Sequence, residues 1–224
     1  MSILLRRREF TLLGAAAAWP LVARAQQQAL PVVGVLDFGS ESTSGLRWRV
    51  ATRTAFLRGL GEQGYVEGRN FAMLYRWGEY RTDRLPALAQ DLVARKVSVV
   101  YAISAIAALV AKRATSTIPI VFGIGEDPVA LDFVRSLNRP GGNITGVTFL
   151  SAELIGKRLE MLHEAAPAAT TIAFLVNPNS GVDVFRRVPD AEAAARILGV
   201  RLLRLNAASA KEIELAFTGA PNSR

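Results

Sequence analysis

Short apolar runs rich in β-branched residues alternate along this chain with stretches whose apolar residues recur every three or four positions. That alternation limits the fold more than any other feature. Val32-Val33-Gly34-Val35-Leu36 is a continuous apolar run, the mark of a strand buried on both faces. A helix is expected over about Val50–Gly64, with Ala51, Ala55, Phe56 and Leu60 on one side and Gly64 placed to cap it. Phe71–Tyr75 reads as a second strand. Leu85, Leu88, Ala89, Leu92 and Val93 then form a helical stripe, and Pro86 suits its first turn. Val97–Ile103, Ile118–Phe122 and Ile144–Phe149 complete a set of five strands, with Ile106, Leu109 and Val110 marking the helix between the third and fourth. Strands alternating with helices imply a parallel sheet joined by right-handed crossovers.

The pattern then restarts. Ile155, Leu159, Leu162 and Ala166 mark a helix, Thr171–Val176 a strand, Ala191, Ala194, Ala195 and Leu198 a helical face, Val200–Leu205 a strand and Ser209–Phe217 the start of a helix. The expected organisation is an α/β unit over 26–149 and a partial second α/β unit over 150–224. A parallel pair of strands leaves sheet edges uncovered, so the second unit is expected to open more readily than the first.

The first 25 residues form a different kind of segment. Arg6-Arg7-Arg8 precedes an apolar run, Phe10–Val22, of about 13 residues, where a membrane-spanning helix needs about 20. A basic start, a short apolar middle and the small residues of Ala23-Arg24-Ala25 describe an export signal peptide, residues 1–25, with cleavage after Ala25. Arg7-Arg8-Glu9-Phe10 also resembles the twin-arginine export motif, with Thr11 where a second apolar residue is usual. This implies contact with the export machinery and a periplasmic destination. The chain has no cysteine, so there is neither a disulfide framework nor a thiol for lipid attachment.

Charge excludes one class of partner. The formal net charge is +8; the four arginines and one glutamate before residue 26 account for +3 of it, leaving +5 for the remainder. The remaining basic residues are scattered, among them Arg47, Arg53, Arg58, Arg69, Arg81, Arg95, Arg113 and Arg135, whereas a nucleic-acid surface needs a clustered stripe. No nucleic-acid partner is expected.

In open parallel sheets, ligands bind beyond the carboxyl ends of the strands. That rule selects four loops. Gly39-Ser40-Glu41-Ser42 offers hydroxyls and amides ahead of a helix; Ser104-Ala105 is a strand-to-helix junction; Glu126-Asp127 offers acids for a cation; and Asn177 opens a fourth loop. Each loop taken alone also reads as an ordinary turn, and their shared placement is what favours a ligand. The expected ligand-binding residues are therefore Gly39, Ser40, Ser42, Ser104, Ala105, Glu126, Asp127 and Asn177. Trp48 and Trp77 can line a cleft or pack at its rim.

Catalytic constellations are missing. His163 is the single histidine, no thiol is present, and neither a dinucleotide fingerprint nor a Walker sequence occurs. No catalytic residue, cofactor or metal is expected. Pro140-Gly141-Gly142-Asn143 reads as a structural turn braced by the Asn143 amide, close to the junction of the two units.

Five segments in order, GLGEQGYVEGRN, YRWGEYRTDRLPALAQDLV, IPIVFGIGEDPVAL, RPGGNITGVTFLSAELIGKRLEML and VNPNS, resemble the bacterial ABC-transporter substrate-binding proteins related to tryptophan- and aromatic-amino-acid-binding proteins. The likeness runs from about residue 31 to 217. It implies a type I periplasmic binding protein-like fold, with a parallel sheet lobe plus an incomplete second α/β lobe and a solute held between them. It also implies an inner-membrane ABC permease as partner and places the solute at the loops already chosen. Two positions depart from the family: Ile103-Ser104 stands where Thr-Gly is common, and Asp132 where glycine is common. Members continue beyond the point where this chain stops, so it resembles a C-terminally shortened member. The expected function is exported capture of a small solute, amino-acid-like or aromatic and carboxylated, for an ABC importer. The alternatives are an exported ligand-sensing or interaction module of the same fold, a shortened fragment without function, and a small α/β enzyme acting on a carboxylated substrate.

Overall fold

The computed structural model describes residues 30–43, 46–151, 153–180 and 182–219. The export signal expected at 1–25 lies outside the described residues, as does Ser44-Gly45 in the loop after the first strand. From Pro31 onward the chain is one compact unit.

Among the described residues seven strands form two parallel sheets. The first contains β1 (Val32–Asp37), β2 (Ala72–Trp77), β3 (Val99–Ile103), β4 (Ile120–Ile124) and β5 (Ile144–Thr148), in the order β2-β1-β3-β4-β5. The second pairs β6 (Thr171–Val176) with β7 (Arg201–Asn206). Helices α1 (Arg47–Glu62), α2 (Leu85–Ala94), α3 (Ala105–Ala114), α4 (Ile155–Ala165), α5 (Val182–Leu198) and α6 (Ala210–Gly219) separate them. The alternation of elements expected from the sequence is the observed one.

The two faces of the first sheet are covered unequally. Leu36, Val100, Ala102, Ile120, Phe122 and Ile144 point toward α2 and α3, where they meet Leu85, Ala89, Leu92, Ala105, Ala108 and Ala111 in one buried cluster. Leu36, Leu85, Leu92 and Ile120 have no exposed surface. Truncating such a leucine to alanine costs about 2–5 kcal/mol, so this cluster is the main store of stability. The alanine-rich face of α3 lets that helix lie close to the sheet. The opposite face, under α1, is half-buried, and Val147 of β5 there is 60% exposed. The second sheet has a smaller cluster of Ile155, Leu159, Ile172, Ala191, Ala195 and Val200.

Every strand but β6 departs from its expected bounds by one or two residues. β2, β3 and β4 begin one or two residues later than the apolar runs do, and β2 and β4 extend two residues further. The apolar run reports burial, not pairing: Val97 is 3% exposed yet precedes the ladder, packed within the α2/α3 cluster. Turn chemistry follows the sequence more closely. Gly64 has φ +82, just past the C-cap of α1, and Gly141 has φ +78. That left-handed region is open to glycine at no steric cost. The Asn143 amide donates to the carbonyls of Ile118 (2.8 Å) and Thr115 (3.2 Å), the expected brace.

Candidate functional site

Strand order reverses at β1, whose neighbours β2 and β3 lie on opposite sides. The crevice beyond the carboxyl ends of β1 and β3 is the place such a sheet offers a ligand.

The loop leaving β1 is tightly held. Asp37, 2% exposed, accepts from the Gly39 amide (2.7 Å) and from Arg49 Nη1 on α1 (2.5 Å). A β-carbon on Gly39 would overlap the Arg49 guanidinium, so glycine here makes room for an ion pair. Ser40 is buried, and its hydroxyl lies 2.8 Å from that of Ser42 and accepts from the Ser42 amide at 3.2 Å. The loop after β2 is stitched to this one: the amides of Gly78, Glu79 and Tyr80 donate to the carbonyls of Asp37, Gly39 and Phe38. The Glu79 carboxylate accepts from the Glu41 amide, and a hydrogen bond from Ser40 is the main reason its pKa is lowered.

Ser104 joins β3 to α3. Its φ of 99° is a conformation L-residues rarely hold, and its hydroxyl caps α3 by accepting from the Ala107 amide at 3.3 Å. Strain of this sort collects at functional sites. Ala105 is buried in the α2/α3 cluster, so only its backbone amide, at the helix start, can serve an anion.

The loop leaving β4 contains the site's strongest electrostatic feature. Glu126 is 5% exposed and accepts from the Gly125 amide at 3.1 Å. Its other carboxylate oxygen accepts from Arg187 Nη2 of α5 at 2.9 Å, a contact between the first sheet's loops and a helix of the second. Thr148 donates to the Glu126 carbonyl at 2.7 Å and Ser151 to that of Gly125 at 3.4 Å, fixing the loop. Asp127 faces its own turn, accepting from the Val129 amide at 2.8 Å. Asn177, at the carboxyl end of β6, does the same for Asn179 at 2.9 Å.

Of the eight residues expected from sequence, Gly39, Ser40, Ser42, Ser104, Ala105, Glu126 and Asp127 share the carboxyl edge of the first sheet. Asn177 occupies the equivalent edge of the second. Sequence reasoning did not find Arg187, Arg49 or Glu79. Arg187 sits beside Arg186 in a charged part of α5, and no local pattern separates the two. Arg49 and Glu79 become visible only when register places them against Asp37 and Ser40. Among the described residues no helix is long and apolar enough to cross a membrane, and no group of three or more acidic, histidine or cysteine side chains could hold a metal ion.

Comparison with known proteins gives a consistent result. A family model described as ABC transporter substrate binding protein matches residues 48–223. A tyrosine-binding protein of Clostridioides difficile (strain R20291) is 32% identical over 126 residues, which is 56% of this chain and 36% of that protein. The solved structure of a conserved domain protein from Vibrio cholerae O1 biovar El Tor is 26% identical with a TM-score of 0.70, covering 85% of this chain and 62% of its own. An ABC domain from Streptococcus pneumonia, solved in complex with L-Trp, is 23% identical with a TM-score of 0.66 over the same shares of the two chains, and shows likeness of fold. The chain thus spans less than two thirds of the length of these relatives.

Proposed function

The chain belongs to the ABC transporter substrate binding protein family, and we propose that it captures a small amino-acid-like or aromatic carboxylated solute and hands it to an inner-membrane permease. Its fold is that of the type I periplasmic binding proteins, with a five-stranded first sheet and two strands of a second in the described residues. The relatives are solute-binding proteins, not enzymes. On this reading 26–149 is the first lobe and 150–224 belongs to the second, with the solute at the carboxyl ends of the strands.

The observation that carries the proposal is the Glu126–Arg187 pair, set 2.9 Å apart between elements of the two sheets at the carboxyl edge of the first. A charge taken partly out of water needs a partner, and without solute these two supply each other. A zwitterionic solute offers both replacements: its ammonium group meets the Glu126 carboxylate, and its carboxylate meets Arg187 with the amides at the start of α3. One ion pair is then exchanged for two, at a modest net gain. That suits a protein that must release what it binds. The tyrosine-binding relative and the L-Trp complex support an aromatic side chain on the solute.

Export through the N-terminal arginines belongs to the same proposal. Replacing Arg7 and Arg8 together by Lys should leave the precursor uncleaved in the cytoplasm, because lysine lacks the guanidinium geometry. Cleavage after Ala25 in that variant would point to the general secretory route instead. Binding is tested by thermal denaturation with L-tyrosine, L-tryptophan, L-leucine and phenylpyruvate. At least one should raise the melting temperature as ln(1 + [L]/Kd). No shift with any of them at saturating concentration would overturn the proposal.

A further inference from the structure

The loops that leave β1 and β2 contain a hydrogen-bond relay whose direction is set by the protons available. A serine hydroxyl has one proton and two acceptor sites, and an ionised carboxylate accepts only. The Ser40 hydroxyl donates its proton to the Glu79 carboxylate, the main reason that the pKa of Glu79 is lowered and its charge kept. One acceptor site of Ser40 takes the Ser42 amide at 3.2 Å. The Ser42 hydroxyl lies 2.8 Å from the same oxygen, which has no second proton to give it. Ser42 is therefore the donor of that bond, and its own oxygen is left with acceptor sites only. Ser40 is 5% exposed and fully engaged, so it positions Ser42 and has nothing to offer a solute, whereas Ser42 is exposed.

The relay is fixed at its charged end. The Glu79 carboxylate also accepts from the Glu41 amide at 3.3 Å, and the amides of Gly78, Glu79 and Tyr80 donate to carbonyls of the β1 loop. Glu79 and Tyr80 have φ of 55° and 56°, two successive non-glycine residues in the left-handed region. That conformation persists only where the surroundings over-determine it. A negative charge behind a chain of hydroxyls polarises each bond in turn and makes the last oxygen a stronger acceptor. The place of that oxygen in the sheet matters as well. Only β3 separates β1 from β4, so their carboxyl ends are two strand spacings apart, about 9.5 Å. A solute whose ammonium group is held at Glu126, in the loop leaving β4, extends its side chain across the end of β3 toward the β1 loop. An aromatic amino acid with a hydrogen bond at each end has the length for that span.

We propose that Ser42 selects solutes whose aromatic side chain carries an O–H or N–H donor, the phenol of tyrosine or the indole of tryptophan, over phenylalanine, with Ser40 and Glu79 as positioning residues. This inference rests on the amino-acid solute proposed above and names the group at the far end of it.

Calorimetric titration with two matched pairs tests this: L-tyrosine against L-phenylalanine, and L-tryptophan against its benzothiophene analogue, in which sulfur replaces the indole N–H. In at least one pair the donor-bearing member should bind at least about tenfold tighter, because its counterpart leaves the Ser42 acceptor unmatched. Ser42→Ala, at an exposed position, should bring that ratio to within about twofold of unity by weakening the donor-bearing member alone. In Glu79→Gln the side-chain amide can donate to Ser40 and reverse the relay, so the ratio should fall at least about threefold. Loss of stability alone would not change the ratio. Saturable binding with equal affinities within both pairs overturns the proposal and leaves the amino-acid reading standing. A preference that survives Ser42→Ala or Glu79→Gln also overturns it, as does a Ser42→Ala variant that weakens both members of a pair alike, which would put Ser42 at the ammonium group. Absence of saturable binding by all four overturns both the proposal and the reading it rests on.

Discussion

Arg187 of α5 donates to the buried Glu126 carboxylate across 2.9 Å, tying a helix of the second sheet to the loop that leaves β4 of the first. The two residues are 61 positions apart in sequence. The Arg187 side chain is 35% exposed and that of Glu126 6%, so water screens one member of the pair and hardly reaches the other.

Breaking the pair should cost stability and change salt dependence. A double-mutant cycle of Glu126→Gln and Arg187→Met should give a coupling of about 1–2 kcal/mol, reduced from a fully buried pair by the exposure of Arg187. The coupling should shrink as salt is added. A coupling near zero at low salt would mean that the pair does not link the two halves.

Ser104 offers a test that separates strain from capping. Alanine keeps the strain of φ 99° and loses the cap to Ala107, so Ser104→Ala should destabilise by about 1 kcal/mol. Ser104→Gly loses the same hydroxyl but relieves the backbone, and should cost a few tenths. Equal losses on urea denaturation would show that the strain contributes nothing.

Asp132 has φ 55° and its carbonyl accepts from Lys112. Glycine tolerates that conformation better, so Asp132→Gly should stabilise by up to about 1 kcal/mol, whereas Asp132→Ala should destabilise by a similar amount. The two melting temperatures should lie on opposite sides of that of the unaltered chain.

The fold was legible in the sequence because its cause is local. The run from Val32 to Leu36 and the stripe from Leu85 to Val93 each report one element, and their alternation leaves few topologies open. Gly64 was legible for a similar reason, since a cap depends on residues near it in the chain; Asn143 was legible as a brace, but its partners Thr115 and Ile118 lie 28 and 25 positions away and were not. Asp132 was visible as a departure from the family, and the backbone supplies its physical meaning: the position favours glycine. The partnerships of the candidate site were less legible. Asp37 with Arg49, Ser40 with Glu79 and Glu126 with Arg187 depend on where folded elements bring distant residues, and no spacing in the sequence encodes them. Ala105 shows what a position at a strand end does not specify. Its position at a strand end suggested a ligand contact, whereas its side chain faces the core and leaves only the amide.

Stability should fall at both ends of the pH scale for different reasons. Burial holds the phenols of Tyr75 and Tyr101 above their ordinary pKa of 10.0. The native state therefore keeps protons that the unfolded chain releases. The associated stability is complete below pH 10.0 and is lost as pH rises through the folded values. Asp91 behaves in the opposite sense. Hydrogen bonds from Arg76, and then from Arg95, lower its pKa below 3.8, so its contribution is present above that pH and is lost as pH falls through the folded value. Denaturation over a pH series should show both flanks, and Asp91→Asn should flatten the acid one only. An unaltered acid flank in that variant would contradict the assignment.

The most direct test of the central claim is calorimetric titration of L-tyrosine and L-tryptophan into the unaltered chain, Arg187→Met and Glu126→Gln. The proposed site predicts saturable binding of at least one of the two by the unaltered protein. Each substitution should weaken it at least about tenfold, the loss expected for one charged contact, with folding retained in circular dichroism. Binding that survives both substitutions unchanged would contradict a solute held between Glu126 and Arg187, and no binding of either amino acid would contradict an aromatic amino-acid solute.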